Sequence, residues 1–213
     1  KPKAVRNHIL KAASHQYKEG DVMHCWHEIG EEHFGVRTTC SDDFLWLPIV
    51  VSKYVKLTGD LSILNERSPF LISPPLEDNK KNNSKINERY EKAVFSENTA
   101  TLYEHCILAL NRGFSNCKNG ISLMGCCDWN DGFSNMGNKG EGLSLFSTRL
   151  LVMASMDFIP LIKNINETDL IEKIKPDIFS ENIPLFLQDE NLLFKKAKEI
   201  EQIIENAYFI NGQ

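Results

Sequence analysis

A chain of 213 residues and 24.3 kDa, 42% hydrophobic and 25% charged with mean hydropathy −0.31, is an ordinary globular polypeptide able to bury a sizeable core. Its formal net charge of −5 and pI near 5.7 exclude the clustered basic excess of a nucleic-acid partner. No run approaches the roughly 18 consecutive apolar residues of a membrane span, and the opening Lys1-Pro2-Lys3-Ala4-Val5 is no signal segment, so a cytoplasmic chain is expected. The absent initiator Met adds the expectation that an upstream part is missing.

In chain order, apolar residues at Val5, Ile9, Leu10, Ala13 and Tyr17 predict a helix over 5–17. A denser apolar run over 43–57, closed by Thr58-Gly59, predicts a second. Asp60 stands as the N-cap of a third over 61–71, stopped by Pro74-Pro75. Residues 77–90, rich in Asn and Lys, read as a surface loop. Ser96 is placed to cap a helix over 97–114, whose apolar face is Leu102, Cys106, Ala109 and Leu110. Strand signals are weak: only 120–124 alternates, and it is short. Residues 143–165 make the most apolar helix and 191–207 a last amphipathic one, with room for one more within 166–187. The expected fold class is therefore all-α, a single domain over 1–213, with long loops between helices that are richer in Trp, Asp and His than in Gly and Ser. Loops of that kind build sites.

The first such loop runs His24-Cys25-Trp26-His27-Glu28 and continues to Arg37-Thr38-Thr39-Cys40-Ser41-Asp42-Asp43. Zinc ligands are available in His24, Cys25, His27, His33 and Cys40, but their spacing fits no closed four-ligand pattern and no CxxC pair occurs. No metal is assigned. The six cysteines read as reduced, buried thiols, since adjacent Cys126 and Cys127 are poorly placed to bond each other. Trp26, Arg37, Asp42 and Asp43 can bind sugar, the aromatic face stacking on a pyranose ring and the charged groups bonding hydroxyls. The plainer alternative is that Trp26 packs, and that Ser41 or Asp42 caps the helix that follows.

The second loop is Gly125-Cys126-Cys127-Asp128-Trp129-Asn130-Asp131-Gly132, running on through Gly137, Gly140 and Gly142. Its glycines match neither phosphate-loop pattern, and Asp128 and Asp131 lack the EF-hand spacing. Asp131-Gly132 is compatible with a simple turn. Glycosidic cleavage needs a protonated carboxyl beside the leaving oxygen, and a Trp wall helps to keep such a carboxyl neutral.

Three stretches in order, from His24 through Glu66, then Thr101 to Leu110, then Gly120 to Gly142, resemble the inverting β-glucoside phosphorylases of glycoside hydrolase family ninety-four. Within that family the likeness is to the phosphorylase region of cyclic β-1,2-glucan synthases and to the 1,2-β-oligoglucan phosphorylases. The resemblance runs over about residues 3–160. It implies an (α/α)6 barrel of which this chain is roughly half the ring, with the site in the loops at one end. It implies Asp131 as general acid, and Trp129, Arg37 and Asp42 around the transferred sugar; on their own residue chemistry Asp43, Asp128, Trp26 and Glu104 are further candidate substrate contacts. Phosphorolysis of a β-glucan or oligosaccharide by inorganic phosphate would then give α-glucose 1-phosphate, with no cofactor. Family members often dimerise, and the truncated chain alone is expected to be inactive. Cys127, Leu143 and Phe146 depart from the family's usual Gly, Glu and Trp. Two alternatives stay open: an inverting hydrolase, with Glu104 as the candidate base, and a carbohydrate-binding module without turnover.

Overall fold

The computed structural model describes residues 2–76, 88–133, 136–137, 139–167 and 183–208. Helix α1 (Pro2–Ala13) turns Ile9 and Ala13 inward, as its apolar spacing requires. A hairpin follows: β1 (Met23–Ile29) pairs antiparallel with β2 (Glu32–Arg37) across the two-residue loop Gly30-Glu31. A 3-10 turn over Asp43–Leu45 leads into α2 (Trp46–Thr58), which ends where the Gly59 amide donates to the Val55 carbonyl. After a second 3-10 turn, Leu61–Asn65, come β3 (Arg67–Leu71), β4 (Arg89–Lys92), β5 (Phe95–Thr101) and α3 (Leu102–Ser115). Next lie β6 (Cys117–Lys118), β7 (Ile121–Leu123) and β8 (Leu143–Ser144), then α4 (Leu145–Glu167) and α5 (Glu190–Tyr208).

The strands form three small antiparallel sheets, ordered β1-β2-β4, β3-β5 and β6-β7-β8. The helices share one core. Leu45, Val51 and Val55 meet Leu102, Cys106 and Leu110 of α3, Leu151, Phe158 and Ile162 of α4, and Leu193, Ile200 and Ile204 of α5. Helix α4 is long and apolar enough to cross a bilayer by length and composition. Its packing against α2, α3 and α5 accounts for that apolar character.

The all-α expectation, and with it half of an (α/α)6 ring, is overturned by these sheets. The region 61–71 is not a helix: Asp60 makes no capping bond, and its carboxylate instead accepts from Arg6 Nε, Tyr54 Oη and Ser62 Oγ. Pro69 then sits in strand β3, paired with Thr99. Residues 97–101, assigned to a helix on the strength of Ser96, are strand as well. The β-branched Thr99 and Thr101 suit a pleated chain better than a helix. Residues 77–87 of the predicted loop and 168–182 of the predicted extra helix lie outside the described residues.

Helix α3 starts at Leu102, five residues later than expected, because a capping box sits at Thr101. Thr101 Oγ1 accepts from the Glu104 amide, and Glu104 Oε2 accepts from the Thr101 amide at 2.6 Å. Thr101→Ala should lower unfolding stability by about 1 kcal/mol. Urea denaturation checks it, and a change within a few tenths would leave the cap without energetic weight.

Candidate functional site

Two loops that the helical core holds side by side make the site: 38–42, between β2 and the turn before α2, and 124–142, between β7 and β8. The backbone stitches them together. The Ser41 amide donates to the Cys127 carbonyl at 3.1 Å, and the Cys126 amide to Thr39 Oγ1 at 3.1 Å. Gly125 has φ +65°, and a Cβ there would lie 1.8 Å from the Thr39 carbonyl oxygen, so only glycine allows this approach. Below the seam, Ser41 Oγ and Ser147 Oγ are 2.7 Å apart, which ties both loops to the first turn of α4.

Four carboxylates gather on this frame. Asp128 is buried and fixed: its Oδ2 accepts from Ser144 Oγ at 2.6 Å and its Oδ1 from the Asn130 amide at 3.0 Å. Asp42, also buried, accepts from Trp46 Nε1 at 3.0 Å. Burial pushes its carboxyl above the ordinary range, against the Trp46 bond that lowers it, with the Asp43 and Asp128 charges raising it further. Asp43 accepts from Thr38 Oγ1 at 3.1 Å, and both its oxygens lie 3.0 Å from His24 Nδ1. That hydrogen bond is the main reason the His24 imidazole is pushed up to about 9, with the Asp43 and Asp131 charges adding to it. Asp131 opens a 3-10 turn and is exposed, and Cys127 Sγ approaches its Oδ1 at 3.9 Å.

Beside the acids is an apolar platform. Trp129 is 70% exposed, its ring 6.2 Å from that of Phe146, and Phe133, Met136 and Leu143 are exposed nearby in the chain. An aromatic face left open beside an exposed carboxylate offers a stacking surface next to a group able to exchange a proton.

Other predicted site residues are engaged elsewhere. Arg37 is 1% exposed and faces Asp21 and Glu19. Glu104 serves the α3 cap. Trp26 joins a ring stack with His15, 4.1 Å between centroids, and Lys11 lies over its face at 5.1 Å. His15 is buried there, donating from Nδ1 to the Lys11 carbonyl, and burial pulls its imidazole down to about 4. A folded value below the ordinary 6.5 means that His15 contributes stability above pH 6.5, lost as pH falls through about 4. Urea midpoints measured from pH 7 to pH 4 should therefore fall less steeply in His15→Gln than in the parent, and equal slopes would remove His15 from the acid response.

What sequence spacing does not reveal is the seam itself. Ser41, Ser144 and Ser147 carry no motif, and His24 meets Asp43 only through the hairpin.

The same segments decide the family. Residues 1–184 match the family described as glycosyl hydrolase 94 superfamily, catalytic domain. The chain belongs to that superfamily. Among family relatives, it is 35% identical over 161 residues to the cyclic beta-(1,2)-glucan synthase NdvB of Rhizobium meliloti (strain 1021), which covers 75% of this chain and 5% of the synthase. It is 22% identical over 165 residues to the solabiose phosphorylase of Paenibacillus borealis, covering 77% of this chain and 18% of that enzyme. With the N,N'-diacetylchitobiose phosphorylase of Vibrio furnissii the identity is 28% over 144 residues, 65% of this chain and 14% of that enzyme. The chain thus spans under a fifth of each of these relatives' length. Membership in the glycosyl hydrolase 94 superfamily joins it to carbohydrate-active enzymes whose named activities are glucan synthesis and phosphorolysis.

Proposed function

We propose that this chain carries the acid-bearing part of a β-glucoside phosphorylase that transfers a glucosyl group to inorganic phosphate with inversion. The exposed pair Trp129 and Asp131, on loops held rigid by the Ser41–Cys127 and Asp128–Ser144 bonds, is the observation that carries it. Asp131 protonates the departing glycosidic oxygen and Trp129 lies against the sugar, with Asp42 and Asp43 within reach of its hydroxyls. Phosphate attacks the anomeric carbon from the opposite face as the bond to the leaving oxygen breaks, giving α-glucose 1-phosphate and a shortened acceptor. Inorganic phosphate is a co-substrate and no resident cofactor takes part. The 35% identity to a cyclic beta-(1,2)-glucan synthase favours a β-1,2-linked glucan or oligoglucan as donor.

A hydrolase would need a carboxylate base to activate water, and the candidate Glu104 has Oε2 committed to the Thr101 amide and hydroxyl. The experiment is to incubate the protein that carries this chain with β-1,2-linked glucooligosaccharides, with and without phosphate. Phosphate-dependent α-glucose 1-phosphate is the expected product. Free glucose without phosphate would make the protein a hydrolase, and sugar binding with neither product would make it a binding module.

A further inference from the structure

Three sulfur atoms from two loops meet beside Asp131. Cys40 Sγ lies 2.9 Å from Cys127 Sγ and 3.3 Å from Cys126 Sγ, and the sulfurs of the neighbours Cys126 and Cys127 are 3.9 Å apart. All three residues are buried free thiols. None of these separations is a disulfide, which needs about 2.05 Å. Zinc holds thiolates at about 2.3 Å, which spaces tetrahedrally arranged sulfurs by about 3.8 Å, close to the widest edge of this triangle.

Consecutive side chains of an extended segment point to opposite faces, so two adjacent cysteines do not ordinarily aim at one spot. Here Cys126 sits in a turn, Gly125 lies against Thr39, and both sulfurs face Cys40. Thiols are weak hydrogen-bonding groups, so such a convergence serves no packing purpose that apolar side chains could not serve. A second set of donors adjoins the first: a ring nitrogen of His24, the sulfur of Cys40 and a carboxylate oxygen of Asp43 all lie within 4.8 Å of one another. The Asp43 carboxylate on His24 Nδ1 is the pairing that orients a ligating imidazole.

We propose that Cys40, Cys126 and Cys127 form a binding site for a thiophilic divalent cation of the zinc class, with the His24–Asp43 pair completing its shell. As each sulfur–metal bond forms, the thiol proton leaves to solvent, and His24 gives up its proton to ligate; no electrons change hands. A bound cation would join the loop before α2 to the loop bearing Asp131 through bonds stronger than the present backbone seam.

The test uses the protein purified under reducing conditions and stripped with a chelator. Titration with Co2+ should show one ion per chain, with intense near-ultraviolet thiolate-to-cobalt absorption that Zn2+ displaces. Cys40→Ser and Cys127→Ser should each weaken binding at least about tenfold, and Asp43→Asn, which frees the imidazole, by about 10- to 100-fold. Cys25→Ser and Cys117→Ser should leave it unchanged. The absorption in the unaltered protein needs no variant to fold. Absence of the band, or binding that survives loss of Cys40 and Cys127 together, would overturn the proposal.

Discussion

Replacing Asp131 by Asn in the protein that carries this chain is expected to lower kcat by about 10²- to 10⁴-fold while leaving the fold intact. The fold should survive because Asp131 is exposed and Cys127 Sγ approaches its Oδ1 only as closely as 3.9 Å. The chemistry should not, because a glucoside leaving group departs as an alkoxide unless a proton arrives with it. Substrate choice separates this role from mere binding. An aryl β-glucoside, whose phenolate leaves unaided, should lose much less than a sugar acceptor does. An equal loss on both, or one below tenfold on the natural leaving group, would move the acid to another carboxyl. Asp128→Asn is the contrasting case: it disturbs a buried group that anchors Ser144 Oγ and the Asn130 amide, so its first effect should be on stability.

Arg37→Ala should destabilise the fold by about 3–5 kcal/mol, the cost of breaking a buried ion pair from one side. The guanidinium is fully committed. Nε and Nη2 donate to the two oxygens of Asp21 at 2.7 and 3.0 Å, Nη2 also to Glu19 at 3.0 Å, and Nη1 to the Ser73 and Pro74 carbonyls at 3.1 Å each. Its plane covers the Tyr17 ring at 3.7 Å. Removing it strands a buried carboxylate at Asp21 and two carbonyls at once. Lysine cannot reproduce the fork or the stacking, so Arg37→Lys should recover little of the loss. Chemical denaturation measures the effect. Unaltered stability with a reduced kcat/KM would instead return Arg37 to the sugar.

Residues with a helical apolar period are legible as helices from sequence, though the first, expected over 5–17, ends at Ala13, and Tyr17 instead bridges to Leu71. Helices α1, α2, α4 and α5 fall where Ile9 and Ala13, Val51 and Val55, Leu151 and Phe158, and Ile200 and Ile204 place them. Of the strands only β7 is anticipated, by the short alternation over 120–124; the others escape because their faces are not sorted by polarity, as along β1, where only Met23 is buried. Turn chemistry is the readable trace instead. Asn119-Gly120, with φ +54° and +82°, closes the β6–β7 hairpin and is the dipeptide most suited to such a loop. Likewise Thr101 and Glu104 mark the true start of α3 better than Ser96 does. At the site, the Asp-Trp-Asn-Asp run is visible in the sequence. The partnership of Arg37 with Asp21, sixteen residues away and across a strand, leaves no periodic trace. Nor does the meeting of Cys40 with Cys127, 87 positions later.

The loop that carries Trp129 and Asp131 has a root and a tip with different freedoms to vary. At the root, a Cβ on Gly125 would strike Thr39, and one on Gly137 would lie 2.0 Å from the Gly125 carbonyl oxygen. Substitution there must be matched by a shift in the neighbouring loop, so those positions can drift only together. At the tip, Trp129, Phe133 and Met136 are exposed, and a change alters what they touch without unseating the backbone. Changes in what the loop contacts can therefore accumulate at the tip by single substitutions, while the register of its root is inherited intact.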